Sequence, residues 1–215
     1  SVLVIFVLVI GGIYAGVFTP TEGAAFGAIG TGLLAYFHGG MRTDGFIESL
    51  LGAGQTTGMI FLIVLGADVL NAFLALTQLP HELADSINAS AMPPLLVMVA
   101  ILIFYLIGGC VMDSLSMILL TMPIFWPILA GMDFGMDTED VKIWFGIVAL
   151  IVVETGLITP PVGMNVFVIN SMARDIPIAQ TFKGVVPFIL SDVVRIILLV
   201  SFPALTLVLV RLFGN

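Results

Sequence analysis

The sequence predicts an all-α integral membrane protein, a polytopic helical bundle with broken helices, from three observations. Hydrophobic residues make up 60% of the 215-residue chain and charged residues only 9%, whereas a soluble domain carries roughly 25% charged residues. Glycines, prolines and polar side chains interrupt several apolar stretches. Six stretches without Asp, Glu, Lys or Arg come close to the ~20 residues that a spanning helix needs: Val2–Phe18, Gly23–Met41, Ser49–Ala67, Ser86–Met112, Ser114–Met132 and Thr155–Ala173.

Two closely packed helices are predicted for the first part of the chain. Val2–Val17 carries glycines at positions 11, 12 and 16, which would form a small-residue face. In the segment Thr19–Glu22, Thr19 is the predicted N-cap of the second helix, with proline at N1 and Glu22 at N3. This is the spacing of a capping box, so Glu22 is interpreted as a structural cap. The second helix should end near Phe37.

A re-entrant helical hairpin is predicted for residues 52–90, after a short amphipathic segment at Phe46–Leu51. A long apolar arm leads to a polar turn at Thr77–Pro80, and a weaker amphipathic arm follows at His81–Asn88. The alternative is one spanning helix that leads into an exposed loop helix. Asp68 lies where burial of a charge is costly, so it should face protein or water.

A first break is predicted at Gly108–Ser114, between two apolar helices. Its two glycines let the backbone leave helical geometry. Asp113 either caps the helix that resumes or belongs to a functional site, and the two roles can coexist. The resuming helix contains Pro123 and Pro127 and should kink there.

A second break is predicted within Glu154–Asn170, which reads ETGLITPPVGMNVFVIN. Pro160 and Pro161 disfavour helical backbone at the residues before them. One helix should therefore end near Leu157 and another begin near Pro161. In hydrocarbon, such a break is tolerated only where the backbone packs against protein or lines a polar cavity.

The last span is predicted at about Val185–Val210, with Pro187 and Pro203 as kink sites. Asp192 and Arg195 lie three residues apart on one helix face, which predicts a structural ion pair.

Composition excludes several kinds of function. Cys110 is the single cysteine, so no internal disulfide is possible. A net charge of −8 without a basic patch excludes a nucleic-acid partner. No P-loop motif for ATP hydrolysis is present, and two histidines disfavour zinc or iron chemistry. Ser1 lies in an apolar run without a basic n-region, so no signal peptide is predicted and the chain is expected to be the C-terminal part of a longer protein.

The two breaks together predict a site for a hard cation such as sodium, because they offer carbonyl, hydroxyl, amide and carboxylate oxygens. Helix N-termini near Ser114 and Pro161 could instead hold a substrate carboxylate. The candidate sodium ligands are Gly108, Gly109, Asp113, Thr155, Gly156, Thr159, Gly163 and Asn165. The candidate substrate contacts are Asp68, Asn71, Pro160 and Pro161.

Several motifs, taken together, carry a family resemblance. They are G-x-x-TPTE-x-AA at Gly16–Ala25, Gly108-Gly109 with Met112-Asp113, the prolines at 123 and 127, and ETGLITPPVG-x-N-x-FV at Glu154–Val168. In order and spacing the chain resembles the C-terminal half of the large membrane subunit of TRAP transporters (tripartite ATP-independent periplasmic transporters).

This resemblance implies a sodium-driven elevator importer of small organic anions, such as sialic acid or C4-dicarboxylates, in a bacterial inner membrane. Its partners would be a small membrane subunit, separate or fused, a periplasmic substrate-binding protein and membrane lipids. Sodium would be the coupling ion, and no organic cofactor is expected.

The resemblance also implies half of an inverted-repeat architecture. Residues 1–51 and 184–215 would be scaffold-type, 52–90 the re-entrant hairpin and 91–183 the transport-type broken helices. Met59–Asn88 would be the second hairpin of the subunit. Gly108–Asp113 and Thr159–Asn165 would flank its tip and form one sodium site.

Two other functions fit parts of the pattern. One is another elevator carrier, such as a sodium/divalent-anion symporter, which shares broken helices with proline-rich tips. The other is a membrane-embedded enzyme that uses Asp113 and Glu154 as an acid/base or protease pair. An enzyme leaves the paired breaks unexplained, so a protein without enzymatic activity is predicted.

Overall fold

The computed structural model describes residues 2–90, 92–172 and 176–213, and all regular secondary structure in these ranges is α-helical, as predicted. The helices are α1 (Val2–Tyr14), α2 (Pro20–Phe37), α3 (Thr43–Thr77), α4 (Leu79–Ala89), α5 (Pro94–Gly109), α6 (Ser114–Ala130), α7 (Thr138–Gly156), α8 (Met164–Met172), α9 (Ile178–Ser201) and α10 (Ala204–Phe213). Two of them, α3 and α9, are long and apolar enough to cross a membrane.

The helices group into two compact units. The first comprises residues 1–61 and 209–215, and the second comprises residues 62–208. The sequence analysis predicted neither these boundaries nor this grouping of the helices into two units. The predicted four-part division at residues 51/52, 90/91 and 183/184 stays a prediction about scaffold and transport roles.

In the first unit, α1 and α2 pack through three levels of a large side chain against a glycine. Ile13 fills the space beside Gly23, where a Cβ atom would lie 2.8 Å from its Cδ1 atom. Two further levels repeat this arrangement one and two turns along: Val9 beside Gly27, and Ile5 beside Gly30. The glycines of α2 therefore form a groove for the aliphatic residues of α1, a packing typical of membrane helices.

The glycines of α1 do not form the small-residue face that was predicted for them. Gly16 takes a φ of +70°, and the backbone N–H groups of Gly16 and Val17 donate to Ile13 O and Gly12 O at 3.1 and 2.9 Å. These two bonds form a Schellman motif, in which a left-handed glycine ends a helix. For this reason α1 ends at Tyr14 rather than at Val17.

The start and end of α2 are confirmed. Thr19 is the N-cap, and its hydroxyl oxygen accepts a bond from Glu22 N at 3.3 Å. Glu22 Oε2 accepts the reciprocal bond from Thr19 N at 2.8 Å, which completes the capping box. The helix ends at Phe37, as predicted.

Helix α3 is continuous through the residues predicted to form a separate amphipathic segment and hairpin arm. Gln78 then turns the chain with a φ of +56°, and α4 begins at Leu79. Helix α4 packs against α6. The re-entrant hairpin predicted at residues 52–90 stays a prediction.

Helices α5 and α6 form a helical hairpin. Tyr105 OH and Thr121 Oγ1 are hydrogen-bonded at 2.8 Å, and the Phe104 and Phe125 rings lie 5.1 Å apart. Gly108, nearer the tip, faces Met117. Residues with higher numbers in α5 contact residues with lower numbers in α6, so the two helices are antiparallel. Residues 110–113 form the tip of the hairpin.

Helix α7 is the core of the second unit, and it is tied to α9 by one buried side chain. Trp144 is 2% exposed, and its Nε1 atom donates to Leu199 O at 2.8 Å. The usual donor to that carbonyl would be the N–H of residue 203, which is a proline and has none. Trp144 therefore supplies the donor that Pro203 lacks.

The last predicted span is divided in two. Helix α9 continues through Pro187 but ends at Ser201, and α10 begins after Pro203. The predicted ion pair is confirmed, with Arg195 Nη2 at 2.9 Å from Asp192 Oδ1. Both side chains are partly exposed, so the pair contributes little to stability in water.

Candidate functional site

The two predicted breaks meet in space through a backbone contact between α5 and α7. A Cβ atom on Gly109 would lie 2.5 Å from Val153 O. A Cβ atom on Gly156 would lie 2.7 Å from Leu106 O and 2.9 Å from the Gly109 Cα atom. Only glycine fits at either position, and the last turns of α5 and α7 therefore lie directly against each other.

The electrostatics of this junction favour a cation. The last four carbonyl groups of a helix have no intrahelical donor, and a helix C-terminus carries roughly half a negative charge. Because Gly109 ends α5 and Gly156 ends α7, two such termini converge. Gly108 O and Gly156 O each accept a bond from a residue that follows the helix, Met112 N and Thr159 N, both at 2.9 Å, and a carbonyl oxygen keeps a second lone pair. The described residues contain no cluster of three or more His, Cys, Asp or Glu side chains that could hold a metal ion.

The chain between α7 and α8 forms a closed turn. Thr159 N donates to Gly156 O at 2.9 Å, and Asn165 N donates to Leu157 O at 3.1 Å. Gly163 has a φ of +59°, which favours glycine, and a Cβ atom there would lie 3.2 Å from Thr159 O. Helix α8 therefore begins at Met164, three residues later than the predicted start at Pro161.

The tip of the α5–α6 hairpin touches this turn. Cys110 Sγ lies 3.3 Å from Leu106 O in its own helix and 4.0 Å from Pro160 O across the junction. Cys110 is buried. The single cysteine thus packs at the first break, against the turn of the second.

Two threonine hydroxyl groups lie beside the junction. Thr155 is 1% exposed, and its hydroxyl donates to Ile151 O at 2.8 Å. The Thr159 hydroxyl donates to Thr155 O at 2.6 Å. With their hydrogens engaged by the helix, the lone pairs of both hydroxyl oxygens are available to a cation.

Asp113 is the N-cap of α6. Its two carboxylate oxygens accept bonds from Ser116 N at 3.0 Å and from the Ser116 hydroxyl at 2.5 Å. The capping role is therefore present. A carboxylate has further lone-pair sites, so the cap does not exclude a ligand role.

Asp113→Ala is expected to lower the free energy of unfolding by about 1 kcal/mol, because it removes an N-cap. Asp113→Ser should recover most of the loss, since a serine oxygen can accept the bond from Ser116 N. Unfolding of the complete transporter in detergent, followed by circular dichroism, measures both variants. Equal losses in the two variants would contradict the capping role.

The other predicted site residues lie in different surroundings. Gly108 faces Met117 inside the hairpin and not the second break. Asn165 and Pro161 are exposed at the surface of the second unit. Asp68 is exposed on α3, and Asn71 lines a separate cavity with residues of α4 and α6.

Glu154, proposed for the enzymatic alternative, is exposed in the last turn of α7.

The sequence did not reveal the Gly109–Gly156 contact or the α5–α6 hairpin. The hairpin had a signal that could have been used. α5 and α6 have 16 and 17 residues, which is about 24–26 Å of helix. Each is shorter than the ~30 Å hydrocarbon core, and only four residues join them, as expected of two antiparallel arms.

Discontinuous helices whose ends converge within an apolar bundle are typical of one class of protein, the membrane transport proteins. The family model of the DctM component of the tripartite ATP-independent periplasmic transporters matches residues 1–205. The chain therefore belongs to this family of TRAP transporter large permeases, and it is an integral membrane protein of the transport class.

Individual relatives agree with the family. The chain is 34% identical over 213 residues, 99% of its length, to the C4-dicarboxylate TRAP transporter large permease protein DctM of Pseudomonas aeruginosa. It is 34% identical over 96% of its length to the sialic acid TRAP transporter large permease protein SiaM of Vibrio cholerae. It is 32% identical over 86% of its length to the 2,3-diketo-L-gulonate TRAP transporter large permease protein YiaN of Escherichia coli.

The chain spans about half the length of the relatives it matches, with shares of 48%, 47% and 42% for these three. All three are named as transporter permeases, not enzymes. Family membership displaces both alternatives, the sodium/divalent-anion symporter of another family and the membrane-embedded enzyme.

Proposed function

We propose that this chain is part of the large permease of a sodium-coupled importer of small organic anions. The observation that carries the proposal is the convergence of two helix C-termini at Gly109 and Gly156. A site made of the carbonyl groups at helix C-termini and of threonine hydroxyl groups favours a hard monovalent cation over an anion.

The proposed sodium ligands come from both breaks. The end of α5 contributes carbonyl oxygens near Gly109. The end of α7 and the turn after it contribute carbonyl oxygens and the hydroxyl oxygens of Thr155 and Thr159. Asp113, Gly163 and Asn165 remain candidates nearby: Asp113 supplies charge, and Gly163 shapes the turn.

A substrate carboxylate would bind at the opposite kind of helix end. The N-termini of α6 and α8 begin at Ser114 and Met164, one in each break. Helix N-termini attract anions. Cation and anion sites would therefore lie side by side, so that each ion lowers the electrostatic cost of binding the other.

The proposed mechanism is an elevator, in which a hairpin and a broken helix carry the site across the membrane. The short arms of α5–α6 fit a re-entrant hairpin, since neither arm is long enough to span the hydrocarbon core alone. The chain would work in a bacterial inner membrane with a small membrane subunit and a periplasmic binding protein. One relative, the isethionate permease of Oleidesulfovibrio alaskensis, carries the combined name DctMQ, which fits a small subunit that is separate or fused.

The substrate class is proposed from relatives named for C4-dicarboxylate, sialic acid and 2,3-diketo-L-gulonate. All three are small organic anions. C4-dicarboxylates and sialic acid are the substrates to test first.

Thr159→Val is expected to raise the sodium concentration for half-maximal uptake about tenfold, because one oxygen ligand worth roughly 1.5 kcal/mol is removed. Thr159→Ser keeps the hydroxyl and should stay near wild type. Uptake of labelled substrate into proteoliposomes, with the complete transporter and its binding protein, measures the sodium dependence.

Thr31→Val is the matched control, since Thr31 also donates its hydroxyl to a carbonyl of its own helix, Gly27 O at 2.8 Å. It should leave the sodium dependence unchanged. Uptake that proceeds equally well without sodium would rule out the coupling. Sodium-dependent uptake with a normal Thr159→Val variant would place the cation elsewhere.

A further inference from the structure

A second cavity, of about 190 Å³, lies at the corner between α3, α4 and α6. Its lining includes Asn71, Gln78, Pro80, Pro123 and Pro127, and none of the residues of the paired breaks. It belongs entirely to the second unit. The sodium site proposed at the breaks makes no use of it.

An unpaired acceptor lies at this cavity. Asn71 Oδ1 is buried and has no hydrogen-bond partner within the described part of the chain. Burying a polar atom without a hydrogen-bond partner costs free energy. Native proteins rarely contain such an atom unless a bound water or ion supplies the missing interaction.

The prolines of the cavity wall supply no donor to that oxygen. Pro80, Pro123 and Pro127 have no backbone N–H group. The side-chain amide of Gln78 donates to Ala75 O at 3.2 Å, and the backbone N–H of His81 donates to Gln78 O at 3.0 Å. His81 also lines the cavity, yet none of the described residues donates to Asn71 Oδ1, so this oxygen is open to a bound water or ion.

Other acceptors face the same space. Pro127 cannot donate to Pro123 O, its partner one turn earlier in α6, so this carbonyl is released on the helix face where both proline rings line the cavity. Leu74 and Ala75, in the last turn of α3, also line it. The C-terminus of α3 adds the negative end of the helix dipole.

The backbone at Gln78 points to the same conclusion. Gln78 has a φ of +56°, in the left-handed region where a helix usually ends with glycine. A non-glycine residue in this conformation is strained, and such strain is concentrated at functional sites. Glutamine brings a side-chain oxygen to the cavity that glycine would not.

We propose that this cavity binds a monovalent cation, ligated by Asn71 Oδ1, Gln78 Oε1 and Pro123 O at the C-terminal end of α3. The Asn71 oxygen, the released Pro123 carbonyl and the end of α3 are all acceptors, which a cation satisfies together. The negative helix end favours a positive charge over a neutral water. This site is separate from the one at the paired breaks and does not depend on it.

The test is the thermal unfolding midpoint of the complete transporter in detergent, followed against sodium concentration at constant total salt with choline chloride. A ligand that binds the folded state raises the midpoint with the logarithm of its concentration. Asn71→Leu is expected to raise the midpoint without sodium, because it removes the unpaired oxygen, and to lower the sodium-dependent slope by the contribution of one site. Gln78→Gly should have the same two effects.

Gln55→Leu, an exposed glutamine on the same helix, is the control and should keep the wild-type slope. Combining Asn71→Leu with Thr159→Val should lower the slope further than either change alone. If only Thr159→Val changes the slope, the second cavity holds water and the proposal fails while the site at the breaks stands. If only Asn71→Leu changes it, the second cavity binds the cation and the sodium site at the breaks is overturned.

Discussion

Gly156→Ala is expected to lower the free energy of unfolding by about 3 kcal/mol and to abolish transport. The new methyl group would lie 2.7 Å from Leu106 O and 2.9 Å from the Gly109 Cα atom. Overpacking in a core costs about 1–3 kcal/mol. The upper end applies here because both neighbours are backbone atoms, which cannot move aside by changing a rotamer. The clash can be relieved only if α5 and α7 move apart. That movement would also separate the two helix C-termini that converge here.

Gly146→Ala is the control for this change on the same helix. A Cβ atom there has no heavy atom within 4 Å outside its own helix backbone, and alanine is favoured over glycine in a helix interior by up to about 1 kcal/mol. Stability should therefore stay the same or rise. Thermal unfolding and uptake, measured on both variants, check the pair. A Gly156→Ala variant that is stable but inactive would show that the contact serves transport more than folding.

Trp144→Ala is expected to cost about 3–5 kcal/mol, the range for truncating a buried tryptophan. Two losses add in this variant. A cavity opens between α7, α9 and Phe134, whose ring lies 5.6 Å from the indole, and Leu199 O loses its donor. Since Pro203 cannot replace that donor, the carbonyl is left unpaired.

Trp144→Phe separates the two losses, because it keeps most of the ring and removes only the Nε1 donor. A smaller loss is expected, about 1–3 kcal/mol for the unpaired carbonyl. Trp126, which is only partly buried, gives the matched control Trp126→Ala. Unfolding in a denaturing detergent titration measures all three. A loss for Trp144→Ala no greater than for Trp126→Ala would show that the α7–α9 contact contributes little.

The fold class and the helix breaks could be predicted because their signals are local. The length of the apolar stretches predicts the membrane helices. The capping box at Thr19–Glu22, the cap at Asp113 and the end of α7 before the double proline all follow from the chemistry of a few adjacent residues.

The failed prediction of a small-residue face on α1 shows what a local pattern leaves open. Gly16 was assigned to a helix face because glycine spacing alone cannot distinguish a packing position from a left-handed helix end. Which helices lie side by side is decided by shape complementarity, and a single sequence does not encode that in any local pattern.

The candidate site was predictable in composition but not in arrangement. Gly109, Gly156 and Thr159 were all named from the breaks, yet nothing in the spacing of positions 109 and 156 indicates that their backbones touch. Asn71 was considered only as a substrate contact. Its unpaired oxygen lies at a cavity lined by residues of α3, α4 and α6, which come together only in the folded protein.

The groove that α2 offers to α1 has a consequence for how this pair can change over evolution. The three levels differ in how much room they leave. A Cβ atom at position 23 or 30 would lie 2.8 or 3.1 Å from the Cδ1 atom of Ile13 or Ile5, whereas one at position 27 would lie 3.7 Å from Val9, an ordinary contact. A larger residue at 23 or 30 is therefore expected together with a smaller or shifted side chain at 13 or 5, whereas position 27 can take alanine on its own.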